Sequence, residues 1–284
     1  METIELQGGA KMPLLGLGTF KVTDPGECSR SVLAAIRAGY RLIDTAQAYG
    51  NEAAVGAGIR SAINAGICTR ADLFVTTKVN FRSFETEDCR RSLAESRSRL
   101  GLDYLDMVLL HWPFGNVYAA WRVLEEEKDA GRIRAIGVSN MEPDRFIDLC
   151  EFNRVRPDVN QIETHLYCQR KGVREWMCKY GIACQAYAPL GQGRANEMFS
   201  EPAVVEMAAN HSKTPAQILL RFLTQEGISA IPKSVHEARI AENIGIFDFK
   251  LDNAEIEALR ALDKNAPMIG LPENPEKVVR AMSW

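Results

Sequence analysis

Short apolar runs alternate with amphipathic stretches along most of this chain. Eight of the runs are bounded by turn and charge signals, a pattern typical of buried strands. These predicted strands cover residues 14–18, 41–44, 73–78, 107–111, 135–139, 159–162, 182–187 and 228–231. Between them, a 3.6-residue apolar period predicts helices at residues 25–38, 85–100, 119–128 and 215–224.

Glycines mark the points where predicted helices give way to strands. They stand at Gly39, Gly66, Gly101, Gly131, Gly181 and Gly227, where a left-handed helix cap is expected. Eight strands alternating with helices in 284 residues predict an α/β fold, a single (β/α)8 TIM barrel over residues 1–284. The alternative is a doubly wound sheet with a dinucleotide fingerprint, but no Gly-x-Gly-x-x-Gly follows a predicted strand.

Two further pieces lie outside the eight units. Residues 4–6 and 11–13, joined through Gly8 and Gly9, predict a β-hairpin that caps the N-terminal end of the barrel. Residues 251–262 predict a final helix, and residues 263–284 form a tail that contains prolines. We expect this tail either to pack on the surface or to cover a pocket.

Composition excludes several classes of function. A net charge of −3 with no Lys/Arg run predicts neither a nucleic-acid partner nor a membrane surface. The N-terminus lacks the pattern of a signal peptide, so a cytoplasmic location is expected. Seven scattered cysteines without Cys-x-x-Cys predict reduced thiols rather than disulfides or zinc, and the spacing of the four histidines predicts no metal site.

Four ionisable residues, Asp44, Tyr49, Lys78 and His111, lie at or just after the ends of three successive predicted strands. The carboxyl ends of parallel strands meet on one face, so these residues are expected to form one site. Reduction of a carbonyl requires a proton at the oxygen, which Tyr49 can donate. We expect Lys78 to lower the pKa of Tyr49, Asp44 to hold Lys78, and His111 to orient the carbonyl.

Five motifs that occur in order resemble the aldo-keto reductases. They are Leu-Ile-Asp-Thr-Ala-Gln-Ala-Tyr-Gly-Asn-Glu at 42–52, Thr-Thr-Lys at 76–78, Leu-His-Trp-Pro at 110–113, Ile-Gly-Val-Ser-Asn at 136–140, and Ile-Pro-Lys-Ser-Val-His-Glu-Ala-Arg-Ile-Ala-Glu-Asn at 231–243. The resemblance covers residues 8–262. Within the family, Gly-Leu-Gly-Thr-Phe at 16–20 and Asp-Thr-Ala-Gln at 44–47 look most like the bacterial 2,5-diketo-D-gluconate reductases.

The resemblance implies NADPH as cofactor. Lys233, Ser234 and Arg239 stand where a predicted strand meets a helix, and they offer the groups that a 2′-phosphate requires. The remaining expected cofactor residues are Gly18, Thr19, Ser139, Asn140, Gln161, Tyr187, Pro189, Leu190, Gly191, Ile231, Val235, Glu242 and Asn243. Among them, Ser139, Asn140 and Gln161 are expected to bind the carboxamide, and Tyr187 to stack on the nicotinamide. The resemblance also assigns residues 188–191 to a loop that covers the pyrophosphate, and it assigns Glu242 and Asn243 to the adenine contacts.

Phe20 and Trp112 match aromatic pocket walls of the family, whereas Asn80 stands where many relatives carry tryptophan. A roomier, more polar pocket is therefore expected, and the short segment 112–116 predicts a less enclosed site. In the family, the tail lies over this pocket. The function predicted is NADPH-dependent reduction of aldehydes and small ketones or α-dicarbonyls, such as methylglyoxal or 2,5-diketogluconate, to alcohols by a monomer. The alternatives are a Schiff-base lyase using Lys78 and an NADPH-binding partner protein with little turnover.

Overall fold

A parallel eight-stranded sheet dominates the computed structural model, which describes residues 2–271, 274–281 and 283. Its strands pair in sequence order, each with the next, as a chain of β-helix-β units requires. They are β3 (Gly16–Gly18), β4 (Leu42–Asp44), β5 (Phe74–Val79), β6 (Leu105–Leu110), β7 (Ile133–Ser139), β8 (Val159–Glu163), β9 (Ala183–Tyr187) and β10 (Ser229–Ala230).

The first and last strands of the sheet meet and close it into a barrel. Leu15 bridges Ala230 in parallel register, and Gly18 bridges Lys233. The N–H of Gly18 donates to the carbonyl of Pro232 at 3.1 Å. A Cβ added to Gly18 would lie 2.8 Å from the carbonyl oxygen of Ile231, so only glycine fits this close approach of two strands. The predicted (β/α)8 barrel is therefore confirmed.

Helices follow the strands around the barrel, as predicted. The first six are α1 (Pro25–Arg37), α2 (Glu52–Asn64), α3 (Thr86–Leu100), α4 (Val117–Asp129), α5 (Pro143–Phe152) and α6 (Lys171–Lys179). The next six are α7 (Ala195–Phe199), α8 (Pro202–His211), α9 (Pro215–Gln225), α10 (Glu237–Ile244), α11 (Asn253–Ala261) and α12 (Pro275–Ala281). The six glycines predicted to follow helices all have positive φ, between 67° and 105°, which confirms their role as turns out of a helix.

The N-terminal hairpin closes one end of the barrel. Its strands β1 (Thr3–Glu5) and β2 (Lys11–Pro13) pair antiparallel. Leu6, Ala10 and Met12 are buried and pack against side chains that fill the barrel interior: Leu42, Phe74, Met107, Leu109, Ala135, Val159 and Ala183. This apolar plug removes water from the N-terminal end, so the polar groups of a site are confined to the opposite end.

The predicted final helix is present as α11, which begins at an Asp252 capping box with Glu255. The tail beyond it returns to the barrel, where Ile269 and Lys277 line a cavity, and it carries α12. Residues 272, 273, 282 and 284 of the predicted tail lie outside the described residues. Within the described part of the chain, no helix is long and apolar enough to cross a membrane.

Candidate active site

The four ionisable residues predicted from strand ends meet at the C-terminal end of the barrel. Asp44 is the last residue of β4, Lys78 lies near the end of β5, and His111 directly follows β6. Tyr49 ends a short 3-10 helix, Gln47–Tyr49, that begins three residues after β4. The parallel alignment of neighbouring strands therefore places these side chains together.

A chain of hydrogen bonds links three of them. The Nζ of Lys78 donates to Oδ1 of Asp44 at 2.5 Å, to the Thr45 carbonyl at 3.0 Å and to the Tyr49 hydroxyl oxygen at 3.3 Å. Nε2 of Gln161 donates to the second carboxylate oxygen of Asp44 at 2.8 Å. Lys78 is wholly buried, so its position is set by these partners rather than by solvent.

Burial works against both charges of the central pair. It raises the pKa of Asp44 and lowers the pKa of Lys78, because an ion is poorly solvated inside the protein. The charge of each partner and their hydrogen bond oppose these shifts. Removal of either partner would leave the other as an isolated buried ion, so the two side chains depend on each other.

The pKa of Tyr49 differs in direction from the prediction. Burial raises it well above its ordinary value, and the Asp44 carboxylate raises it further. We expected Lys78 to lower this pKa; that expectation was wrong because desolvation of the phenolate is the larger effect. Tyr49 is therefore a protonated phenol at neutral pH, which is the form that a proton donor needs.

His111 is neutral at physiological pH. Burial lowers its pKa to about 3, and the nearby charge of Lys78 acts in the same direction. Its ring meets the Tyr49 ring edge to face, with centroids 5.6 Å apart. A neutral imidazole keeps one N–H donor, so His111 can donate a hydrogen bond to an oxygen held beside the Tyr49 hydroxyl.

Three of the four side chains border a cavity of about 1010 Å³. The cavity reaches Asp44, Tyr49 and His111, whereas Lys78 does not line it and stands behind them. Its other end reaches the segment between β10 and α10. Such a volume is large enough for a dinucleotide-sized ligand that runs across the end of the barrel.

Thirteen of the sixteen predicted cofactor residues line this cavity: Gly18, Ser139, Asn140, Gln161, Tyr187, Pro189, Leu190, Ile231, Lys233, Ser234, Arg239, Glu242 and Asn243. The other three lie close by. Thr19 is buried, and its hydroxyl donates to the Asp44 carbonyl at 2.9 Å. Gly191 turns the chain with φ 74°, and Val235 packs against the core.

The amide and hydroxyl groups at the ends of β7, β8 and β9 hold one another in place. The Tyr187 hydroxyl donates to Oδ1 of Asn140 at 2.7 Å, and Nδ2 of Asn140 donates to the His111 carbonyl at 3.1 Å. Ser139 Oγ donates to the Gln161 carbonyl at 2.8 Å. Nε2 of Gln161 donates to Asp44, as described above, and to Gln185. The Tyr187 ring is thus fixed at the cavity wall, where a flat ligand ring could stack on it.

Comparisons with known proteins show the family of this chain. Residues 14–264 match the model of the Aldo/keto reductase family. The chain belongs to this family. It is 40% identical over 265 residues to a glyoxal reductase of Bacillus subtilis, covering 93% of this chain and 94% of the relative. It is 41% identical over 273 residues to a morphine 6-dehydrogenase of Pseudomonas putida, and the match covers 92% of this chain and 90% of the relative.

A solved structure of a Bombyx mori aldo-keto reductase in complex with NADP superposes with a TM-score of 0.90. It is 34% identical in sequence, and the match covers 95% of each chain. The present protein is accordingly an NADP(H)-dependent oxidoreductase of the aldo/keto reductase family.

In this aldo/keto reductase, the two predicted aromatic walls, Phe20 and Trp112, line the cavity. The Phe20 ring lies 4.9 Å from that of Tyr49. Asn80 does not line it: its Oδ1 accepts from the Arg82 N–H at 3.0 Å and caps a short 3-10 helix. The side-chain amide of Asn80 therefore does not form part of the cavity wall.

Several lining residues lie outside the cofactor segments and pocket positions predicted from the sequence: Lys21, Ala48, Gln192, Gly193, Ala195, Asn196, Phe199, Ala216, Ile269 and Lys277. The group from Gln192 to Phe199 belongs to the loop after β9 and the short helix α7. The last two belong to the tail. The run of small and polar residues around Gly191 and Gly193 was the available signal for the loop, since such runs form binding loops.

Proposed function

We propose that this aldo/keto reductase uses NADPH to reduce aldehydes, small ketones and α-dicarbonyls to alcohols, with Tyr49 as general acid. The observation that carries the proposal is the Tyr49 hydroxyl itself. It faces the cavity, stands 3.3 Å from the Lys78 ammonium and lies beside the neutral His111 ring. An acid, a cation behind it and a hydrogen-bond donor are the groups that a forming alkoxide needs.

The mechanism follows from the protonation states. When bound, the reduced nicotinamide supplies the hydride. His111 donates a hydrogen bond that aligns the substrate oxygen, and Tyr49 transfers its proton to that oxygen as the carbonyl carbon becomes tetrahedral. The resulting phenolate is stabilised by the Lys78 ammonium, whose place is held by Asp44. Solvent then returns a proton to Tyr49.

The groups at the far end of the cavity fit the 2′-phosphate of NADPH. Lys233 and Arg239 line the cavity on either side of the start of α10, and Ser234 lies between them in sequence. Two cations and a hydroxyl beside a helix N-terminus favour a phosphate dianion over the hydroxyl of NADH. Ser139, Asn140 and Gln161 are proposed to bind the carboxamide, and Tyr187 to stack on the nicotinamide.

The substrates proposed are small dicarbonyls such as methylglyoxal and 2,5-diketogluconate. Only five residues, 112–116, separate His111 from α4, so no long loop from this segment encloses the site. The glyoxal reductase among the relatives supports this class of substrate. The closer likeness to 2,5-diketo-D-gluconate reductases, based on residues 16–20 and 44–47, is part of the same proposal.

The lyase alternative does not fit the position of Lys78. Its Nζ is enclosed by Asp44, Thr45 and Tyr49, and the side chain has no solvent exposure and no surface on the cavity. A Schiff base requires direct contact between that nitrogen and a carbonyl carbon. Borohydride should therefore trap no substrate on Lys78, as peptide mass analysis would show.

The proposal is tested by following NADPH absorbance with purified protein and four carbonyl compounds: methylglyoxal, 2,5-diketogluconate, benzaldehyde and a ketosteroid. Each is repeated with NADH. Turnover of the dicarbonyls that is fastest with NADPH is the expected result. Tight NADPH binding without turnover of any compound would instead identify a cofactor-binding partner protein.

A further inference from the structure

The short 3-10 helix that carries Tyr49 is held in place by few contacts of its own. It comprises only the three residues Gln47–Tyr49, and none of them is fully buried. Ala48, at its centre, is exposed and lines the cavity. Because the helix has no buried apolar side chain to anchor it, its position beside Lys78 depends largely on hydrogen bonds.

The side-chain amide of Gln47 makes three of these hydrogen bonds. Its Oε1 accepts from the N–H of Asn80 at 2.9 Å, and Asn80 follows β5 directly, two residues after Lys78. Its Nε2 donates to the Ser92 carbonyl at 3.2 Å and to Ser96 Oγ at 3.0 Å. Both serines belong to the buried side of α3. One amide thus joins the helix that carries Tyr49 to the strand that carries Lys78 and to α3.

The proton transfer proposed for Tyr49 depends on this arrangement. The Tyr49 hydroxyl lies 3.3 Å from Lys78 Nζ, near the upper end of the hydrogen-bond range, so a small displacement of Tyr49 would break the contact. A phenolate that forms away from the ammonium is less stable, and proton transfer to the substrate is then slower. Gln47 does not line the cavity, so an effect on the rate would pass through the groups that it holds.

We propose that Gln47 is a positioning residue for the general acid, and that its side-chain amide sets the distance between the Tyr49 hydroxyl and the Lys78 ammonium. This inference rests on the proposed reductase function, in which Tyr49 donates the proton. It adds a residue outside the cavity that controls the rate of the chemical step and leaves the binding of the cofactor unchanged. An amide that only stabilised the fold would change the unfolding free energy and not this rate.

The test uses Gln47→Met, which keeps the length of the side chain and removes its amide. Gln225→Met is the matched control. Gln225 is also half-buried, its amide donates to the Leu251 carbonyl at 3.0 Å and accepts from the Leu251 N–H at 2.8 Å, and it does not line the cavity. Each substitution is made in the wild type and in Tyr49→Phe.

Three quantities are measured for every variant. Single-turnover reduction, with enzyme in excess over the carbonyl compound that the wild type reduces fastest, gives the rate of the chemical step. NADPH fluorescence gives the dissociation constant of the cofactor, and urea unfolding gives the stability.

We expect Gln47→Met to lower the single-turnover rate about ten- to a hundredfold, because a small misplacement of a reacting group has a cost of this order. The NADPH dissociation constant should not change, and Gln225→Met should keep the wild-type rate. In Tyr49→Phe no hydroxyl remains to be positioned, so the addition of Gln47→Met should lower the residual rate by less than about twofold.

A wild-type rate in Gln47→Met, or the same fold-loss in both backgrounds, would overturn the proposal for Gln47. If Gln47→Met does not fold, Ser96→Ala removes one partner of the Gln47 amide with a smaller change. It should then lower the rate about threefold in the wild type and not in Tyr49→Phe. If Tyr49→Phe itself keeps the wild-type rate, or if the wild type reduces no carbonyl compound, the proposed function fails, and this inference with it.

Discussion

The two ends of the cavity hold charged groups in opposite ways. At the proposed catalytic end, Asp44 and Lys78 are buried and bonded to each other, and Tyr49 is bonded to Lys78. At the end proposed to bind the 2′-phosphate, Lys233 and Arg239 are exposed to solvent. The buried groups have pKa values displaced by desolvation, and they depend on their neighbours. The exposed cations remain in contact with water and act independently of one another.

This difference predicts how each end responds to substitution. Loss of one buried group should disable the whole catalytic set, since the remaining charge has no solvent to stabilise it. Loss of one exposed cation should weaken cofactor binding by a modest amount, and two such losses should add. The following predictions test this contrast.

Lys78→Met should have the largest effect on both stability and rate. It leaves the Asp44 carboxylate buried without its cation, which costs about 3–5 kcal/mol of unfolding free energy. It also removes the cation beside the Tyr49 phenolate, so kcat should fall by about 10²- to 10⁴-fold. Denaturant unfolding and NADPH-dependent turnover measure the two effects.

The double variant Asp44→Asn with Lys78→Met is the control for this prediction. It removes both charges, so it should recover most of the lost stability while its kcat stays low. Recovery of turnover in the double variant would show that the charge of Lys78 is not required for the reaction.

His111 should make the folded protein sensitive to acid. Its pKa is about 3 when folded and about 6.5 when exposed in the unfolded chain, so the unfolded chain binds the extra proton first. This contribution to stability is complete above pH 6.5 and is lost as the pH falls toward 3. Between pH 7 and pH 5 the loss from His111 is about 2 kcal/mol.

Urea unfolding of the wild type and of His111→Gln across that pH range checks this expectation. The unfolding free energy of the substituted protein should fall less between pH 7 and pH 5, by about 2 kcal/mol. The same slope in both proteins would contradict a neutral His111 with a lowered pKa.

Lys233→Met and Arg239→Met should each raise the KM for NADPH by about three- to tenfold and leave the KM for NADH nearly unchanged. The effect should shrink at high ionic strength, because these side chains are exposed. Lys250→Met serves as the control for loss of an exposed positive charge away from the cavity. An equal rise in the KM for NADPH and the KM for NADH would mean that the two cations do not contact the 2′-phosphate.

Asn80→Ala should have the smallest effect on catalysis, less than about twofold in kcat/KM for methylglyoxal. The reason is that the Asn80 carboxamide caps a 3-10 helix and does not line the cavity. A larger loss of kcat/KM, with stability unchanged, would mean that the Asn80 amide reaches the substrate after all.

Much of the fold was predictable because it depends on local patterns. Strand-length apolar runs and helix-ending glycines recur along the chain, and the residues at strand ends, such as Asp44 and His111, were therefore expected in one place. Most of the predicted cofactor residues line the cavity for the same reason. They follow strands whose carboxyl ends open on that face.

The features that were not predicted depend on long-range packing, which no local pattern in the sequence specifies. The contact of Lys277 with Trp112 joins residues far apart in sequence, and it is made because Glu163 binds the tail at Ile269. The direction of the Tyr49 pKa was also out of reach, since it is set by how deeply the hydroxyl is buried. A sequence indicates which charged groups lie near Tyr49, but it does not show how far burial desolvates the hydroxyl.

The most direct test of the account is Tyr49→Phe, assayed for both turnover and NADPH binding on the same preparation. The substitution removes only the hydroxyl that stands 3.3 Å from Lys78 Nζ. We predict an unchanged NADPH dissociation constant and a kcat for methylglyoxal reduced by at least about 10³-fold. Full turnover in this variant would contradict Tyr49 as the proton donor, and with it the mechanism.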